Sequence, residues 1–71
     1  MEKIKLGSLC ITKNCKTIEY KNKKVVIEKG TYVTVCDDNS ISKGYVLVEI
    51  DGFDIVFGFN IDDLILIHNH L

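Results

Sequence analysis

Residues 44–59 read GYVLVEIDGFDIVFGF, two runs of alternating apolar residues on either side of Asp51-Gly52. An Asp-Gly pair between such runs is a strong hairpin signal, because a tight type I′ turn needs positive φ at both central residues. This stretch predicts a long β-hairpin, and the rest of the chain is interpreted around it.

The register of this hairpin has two solutions. If the turn has only two residues, Glu49 faces Asp54, and like charges directly opposite one another are destabilising. A turn of four residues, 51–54, instead pairs Val48 with Phe57 and relieves that clash. Either register gives one apolar face, and its expected core members are Val46, Val48, Ile50, Ile55 and Phe57.

Short runs rich in β-branched residues predict further strands elsewhere in the chain. The clearest is 31–36, TYVTVC, in which Val33 and Val35 share one face. The acidic turn 60–64 begins with Asn and predicts a single 3₁₀ or helical turn. Since no ten residues show helical periodicity, the fold class is all-β. The other predicted strands are 9–12, 17–20, 24–28 and 64–67, the last apolar throughout and expected to be buried on both faces or to form a covered edge.

Length and composition describe one domain, residues 1–71. A chain this short buries only about 60% of its unfolded surface, which favours a partner or a homodimer. No apolar run approaches the roughly 18 residues that cross a bilayer, and no apolar h-region follows the first residues. We therefore expect a cytoplasmic protein.

Charge is divided unequally along the chain. Eight of the nine lysines lie in residues 1–30, and seven of the ten acidic residues lie in 31–71. Such asymmetry can mark an interaction surface, although a mixed, solvated surface is the alternative. The abundance of Lys, Ile and Asn without any Arg indicates an AT-rich coding genome, such as a low-GC bacterium or one of its mobile elements.

About 5–7 short antiparallel strands in so few residues are expected to close into a small barrel or a folded-over sheet, because an open sheet leaves exposed edges. The runs KGTYVTV, GYVLVEI, DIVFGF, NIDDL and ILI resemble the SH3-like barrel of bacterial SH3-type domains. The resemblance covers 29–67 and leaves 1–28 as Lys-rich hairpins. It implies a central two-stranded hairpin and a 3₁₀ turn before the last strand. Tyr45 stands where polyproline-binding domains carry Trp, so binding of proline-rich peptides is not implied.

The sequence contains no Gly-rich phosphate loop and no nucleophile with a rigidly placed base, so neither an enzyme nor a cofactor is expected. We expect a non-catalytic protein-interaction module, such as a small phage- or plasmid-encoded adaptor or inhibitor. The resemblance places the long loop and the 3₁₀ turn beside the usual binding face, where acidic residues would meet a basic protein. The predicted protein-binding residues are Tyr32, Asp37, Asp38, Tyr45, Glu49, Asp62 and Asp63.

Two alternatives stay open. A basic N-terminal ribbon with an aromatic residue could bind nucleic acid by phosphate contacts and base stacking; its residues would be Lys13, Lys16, Tyr20, Lys21, Lys23 and Lys24. A small zinc-binding protein would use Cys and His ligands, but their spacing departs from that of common zinc sites, so no metal site is assigned. The zinc candidates are Cys10, Cys15, Cys36, His68 and His70.

Overall fold

A computed structural model describes residues 3–69 as an all-β protein with two 3₁₀ turns. Five antiparallel strands form one sheet in the order β6-β5-β4-β1-β7, and β2 and β3 form a separate hairpin. The predicted all-β class and the 3₁₀ turn before the last strand are confirmed. The elements are β1 Ser8–Thr12, β2 Lys16–Tyr20, β3 Lys23–Ile27, β4 Tyr32–Asp37, η1 Ile41–Lys43, β5 Tyr45–Glu49, β6 Val56–Asn60, η2 Ile61–Asp63 and β7 Leu64–Asn69.

The central hairpin adopts the register of the longer turn. Val48 pairs with Phe57, so of the two registers that the sequence leaves open the structure has the one that separates Glu49 from Asp54. The connection is not a type I′ turn, because positive φ occurs at Gly52 (+92°) but not at the residue before it. The Phe53 N–H donates to the Ile50 carbonyl at 3.2 Å and closes the turn.

The expected core face of this hairpin is correct except at one residue. Ile55 is 46% exposed, whereas Val46 and Val48 are 1% or less exposed. The expectation for Ile55 was wrong because this residue lies in the bend before β6 and not within the strand. Phe59, two residues beyond Phe57 on the same face of β6, completes the buried set.

The hairpin β2–β3 contains the type I′-like turn of the protein. Lys21 and Asn22 both have positive φ, 53° and 64°, and Tyr20 pairs with Lys23 across this two-residue connection. Ile27, at the end of β3, is buried in the main core. Partly buried side chains of the hairpin, Ile18, Tyr20 and Val25, pack against that core.

The main sheet is open, so of the two arrangements expected, a small barrel or a folded-over sheet, the closed barrel does not form. Within residues 3–69 the edge strands β6 and β7 do not pair with each other. The β2–β3 hairpin instead covers part of the inner face, and Lys16 donates to the carbonyl of Gly58 on edge strand β6 at 2.6 Å. The buried hydrophobic residues are Cys10, Ile27, Val33, Val35, Val46, Val48, Ile50, Phe57, Phe59 and Leu64.

Strand β7 is an edge with one exposed face. Leu64 is buried, but Ile65 and Ile67 are 43% and 50% exposed, so the expectation of burial on both faces was wrong. The register with β1 shifts after Leu66, leaving Ile67 as an extra residue on β7. Strand β1 lies between β4 and β7, which places part of the N-terminal segment 1–28 at the centre of the sheet.

Candidate protein-binding groove

Three irregular segments meet at a groove of about 710 Å³. They are the N-terminal stretch before β1, the β4–β5 loop with η1, and the turn η2. The floor is made of half-buried isoleucines that also pack against the main core, and charged side chains surround it. The floor residues are Ile4, Ile41 and Ile61, and the rim residues are Lys3, Lys5, Asp38 and Asp62.

Side-chain hydrogen bonds hold the N-terminal wall of the groove. The buried hydroxyl of Ser8 accepts from the Lys5 N–H at 2.8 Å and donates to the side chain of Asn69. The carboxylate of Asp38 accepts from the Leu6 N–H at 3.0 Å. The N-terminal stretch is therefore fixed to the rest of the protein at its base, which positions Ile4 in the floor.

The other two walls are joined through Gly44. Its carbonyl accepts from the Ile61 N–H at 2.9 Å, which ties η2 to the end of η1. Its own N–H donates to the Ile41 carbonyl at 2.9 Å, and it ends η1 with a φ of +81°. A glycine suits this position because other residues rarely adopt a positive φ. This turn holds Ile41 and Ile61 beside each other.

The charges on the rim are mixed and mostly unpaired. Within residues 3–69, Lys3, Lys5 and Asp62 form no ion pair, and the ion pair between Lys21 and Asp54 lies away from the groove. Asp38 contributes one carboxylate oxygen to the N-terminal wall. Two lysines from the basic half of the sequence thus lie beside two acids from the acidic half. At this groove the two charged halves of the sequence interleave.

The structure brings together two of the five acidic residues predicted to bind a protein. Asp38 and Asp62 lie on the same groove, although 24 residues separate them in the sequence. Asp37 accepts from the Asn39 N–H at 2.8 Å and so stabilises its own loop. Asp63 lies on a separate polar pocket of about 370 Å³, whose other residues are Asn14, Cys15, Lys16, Phe59 and Asn60.

The remaining predicted protein-binding residues lie on the outer face of the sheet. Tyr32 is 65% exposed and pairs across strands with Ile11, which in turn pairs with Ile65. The ring of Tyr45 lies over Gly58, where a Cβ atom would overlap it. Glu49 is exposed on the same face, opposite Thr34 and Val56. These three residues do not line the groove.

Half of the residues predicted to bind nucleic acid make contacts within the protein. Lys16 lies 4.4 Å from the centre of the Phe59 ring. The hydroxyl of Tyr20 donates to Asp54, whose other carboxylate oxygen is 3.7 Å from the Lys21 ammonium group. The half-buried Tyr20 ring meets Phe53 edge-on at 5.0 Å, so it does not offer an open face for stacking. All five lysines of the set are exposed, and Lys13, Lys23 and Lys24 are the ones outside these side-chain contacts.

This polar cluster changes the pKa of two of its members. The hydrogen bond from Tyr20, and then the charge of Lys21, hold the pKa of Asp54 below its usual value. The charge of Asp54 raises the pKa of Lys21 in return. The cluster therefore connects the β2–β3 turn to the loop before β6 through ionised groups.

The cysteines occupy three different environments. Cys10 is fully buried, and burial raises the pKa of its thiol. Cys36 is half-buried, its S–H donates to the Leu47 carbonyl at 3.5 Å, and burial again raises its pKa. Cys15 is exposed. In the described part of the chain no three His, Cys, Asp or Glu side chains are grouped to hold a metal ion, and the zinc candidate His70 lies outside it.

No family model matches the sequence, and neither the curated proteins nor the solved structures contain a match. None of the helical turns in residues 3–69 is long and apolar enough to span a membrane. The site is therefore interpreted from its own residues. The sequence did not reveal the groove floor, although Ile41 and Ile61 are each isolated apolar residues in polar loops, which is typical of side chains that pack under a loop.

Proposed function

We propose that the protein is a non-catalytic interaction module that binds another protein by taking up an apolar side chain in the groove. The observation that carries the proposal is the floor of three isoleucines, Ile4, Ile41 and Ile61, open to solvent beneath a charged rim. Apolar concave sites of about 300–1,000 Å³ with a few polar groups at the margin are typical binding sites.

The magnitude of the expected contact fits a peptide-binding module. Burying one aliphatic side chain in an apolar site contributes about 1.5–3 kcal/mol. Charged groups at the rim add modest affinity and orient the encounter. A peptide that places one aliphatic side chain in the groove therefore binds weakly and reversibly, as adaptor proteins require.

The proposal includes an SH3-like architecture acting in the cytoplasm, with a phage or plasmid as the source of the gene. Several features support the SH3-like part: β5 and β6 form a hairpin, η2 precedes β7, and β1 and β7, the first and last strands described, are neighbours. The open edges of the sheet are the departure from a closed barrel. Cytoplasmic action and the source rest on composition.

Nucleic-acid binding receives less support than protein binding. The aromatic residue that base stacking needs, Tyr20, is half-buried and bonded to Asp54. Lys16 and Lys21 likewise have partners within the protein. Phosphate binding would then depend on scattered lysines opposed by nearby acids, such as the Lys24–Glu19 cross-strand pair.

Selection from a displayed library of random heptapeptides tests the proposal. We expect the protein to enrich peptides that share an aliphatic residue and to bind them less tightly after Ile41→Ala. This change removes roughly 50 Å² of apolar contact, or about 1.3 kcal/mol, so affinity falls about tenfold.

The matched control is Ile55→Ala, at an isoleucine that is 46% exposed in the β5–β6 connection and away from the groove. This variant is expected to bind the selected peptides as the unaltered protein does. Circular dichroism and thermal melting of both variants establish that they are folded. Selected peptides that bind the Ile41 variant at full strength would show that the groove is not the binding site.

A further inference from the structure

The charges around the groove indicate the chemistry of the segment that binds there, an inference that rests on the proposed function. Lys3 and Lys5 belong to the N-terminal wall, and Asp62 belongs to η2. Asp38 is bonded to the Leu6 N–H, so Asp62 is the acid of the rim whose carboxylate remains open. The floor between them is apolar.

We infer that the groove binds an extended peptide segment in which one aliphatic residue is flanked by an acidic residue on one side and a basic residue on the other. A purely basic segment, which the acidic half of the sequence alone would favour, meets repulsion from Lys3 and Lys5. A purely acidic segment meets repulsion from Asp62. A segment of mixed sign satisfies both ends of the rim.

The spacing of an extended chain fits this arrangement. Residues i−2, i and i+2 of a strand point to the same side and lie about 6.6 Å apart. A central aliphatic side chain can then reach the isoleucine floor while its two charged neighbours reach the lysines of the N-terminal wall and Asp62 of η2. The residues between them, i−1 and i+1, face away from the groove.

Four capped peptides of defined sequence form the test: GEGLGKG, GEGLGEG, GKGLGKG and the leucine-free GEGGGKG. Each is titrated into the ¹⁵N-labelled protein of 71 residues at low salt, where surface charges are least screened. The unaltered protein is expected to bind GEGLGKG about fivefold more tightly than either peptide with charges of one sign.

The decisive variant is Asp62→Lys, at an exposed side chain outside the core. It makes the rim mainly basic, so the preference shifts to GEGLGEG by about fivefold. Asp51→Lys is the matched control, because it makes the same charge change at an exposed turn away from the groove. It is expected to keep the original order of affinities. A switch in preference cannot result from partial unfolding, which weakens all peptides alike.

The outcomes separate this inference from the proposed function. If leucine peptides bind and the leucine-free peptide does not, but Asp62→Lys leaves the order unchanged, the charge inference is wrong and the groove remains the binding site. If the leucine-free peptide binds equally well, or no peptide binds, the groove function and this inference both fail.

Discussion

Replacing Thr12 by Val tests how the β2–β3 hairpin is joined to the sheet. Thr12 is 1% exposed, its hydroxyl donates to the Glu28 carbonyl at 2.8 Å, and it accepts from the Thr31 N–H at 3.0 Å. Valine has nearly the same shape and removes both bonds. A hydrogen bond contributes about 0.5–1.5 kcal/mol net, so two amount to about 1–3 kcal/mol.

The partners left behind moderate this loss. The Glu28 carbonyl still accepts from the Thr31 hydroxyl at 2.6 Å and from the Thr31 N–H at 3.2 Å. Neither group is left without a partner, so we expect the free energy of unfolding to fall by about 1–2 kcal/mol. For a domain of this size the melting temperature would fall by about 4–16 °C.

Thermal melting, together with amide hydrogen exchange, measures the effect. In Thr12→Val the Thr31 amide is expected to exchange faster relative to the Val33 and Val35 amides of the adjoining strand β4. Thr12→Ser is the control, because it keeps the hydroxyl and loses one methyl group, at a cost of about 1 kcal/mol, without that local change. The role assigned to the Thr12 hydroxyl would be refuted if Thr12→Val had the same melting temperature as the unaltered protein, or if its Thr31 amide exchanged at the same rate.

Three further predictions follow from local geometry. Because the pKa of Asp54 is lowered in the folded state, the stability it contributes is present above its ordinary value of 3.8 and is lost as pH falls through the lowered value. In urea unfolding, Tyr20→Phe should therefore have a lower free energy of unfolding than the unaltered protein at neutral pH, and the difference should be smaller at about pH 2. An equal difference at the two pH values would contradict the contribution of Asp54. Asn22 has a φ of 64°, so Asn22→Gly should raise and Asn22→Ala lower the free energy of unfolding by about 0.5–1 kcal/mol in thermal melts, and a destabilising Gly would disprove the turn assignment. In a thiol-titration assay Cys15, which is exposed, should react first, and the buried Cys10 should react only on unfolding. Early reaction of two thiols at the same rate would conflict with this difference in exposure.

The sequence predicted most of the secondary structure because the decisive signals are local. The sequence left two registers of the central hairpin open, and the structure has the one that avoids the clash between Glu49 and Asp54. Val33 and Val35 were assigned to one buried face by period-two alternation alone, and each is 1% exposed. The prediction that Ile55 is buried was wrong because the apolar alternation in the sequence extends beyond the start of β6. Only the geometry of the turn shows where that strand begins.

The groove was harder to predict because its parts are distant in sequence. Ile4 and Ile61 are 57 positions apart, and no local pattern states that the two segments meet. Their contact depends on hydrogen bonds made after the strands have paired, such as Gly44 to Ile61. The resemblance to SH3-like barrels placed Asp38 and Asp62, together with Asp37 and Asp63, beside a binding face, but it did not place the lysines there.

Contacts between residues distant in sequence also determine where the basic half (1–30) and the acidic half (31–71) of the chain place their charges. Reading along the chain, Lys21 belongs to the basic half and Asp54 to the acidic half, yet the fold places them 3.7 Å apart. The side chain of Tyr20 also reaches Asp54, 34 positions away. Net charge by segment therefore did not indicate which surface carries which sign, since antiparallel pairing interleaves the two halves.

Chemical-shift mapping tests the central claim of a peptide-binding groove most directly. The ¹⁵N-labelled protein is titrated with the heptapeptide that the library selection enriches most strongly. The account predicts saturable shifts at the amides of Ile4, Ile41, Ile61 and Asp62, with little change at Lys23 and Lys24 of the β2–β3 hairpin. Shifts confined to that hairpin or to the outer face around Tyr32, with the groove amides unchanged, would contradict it.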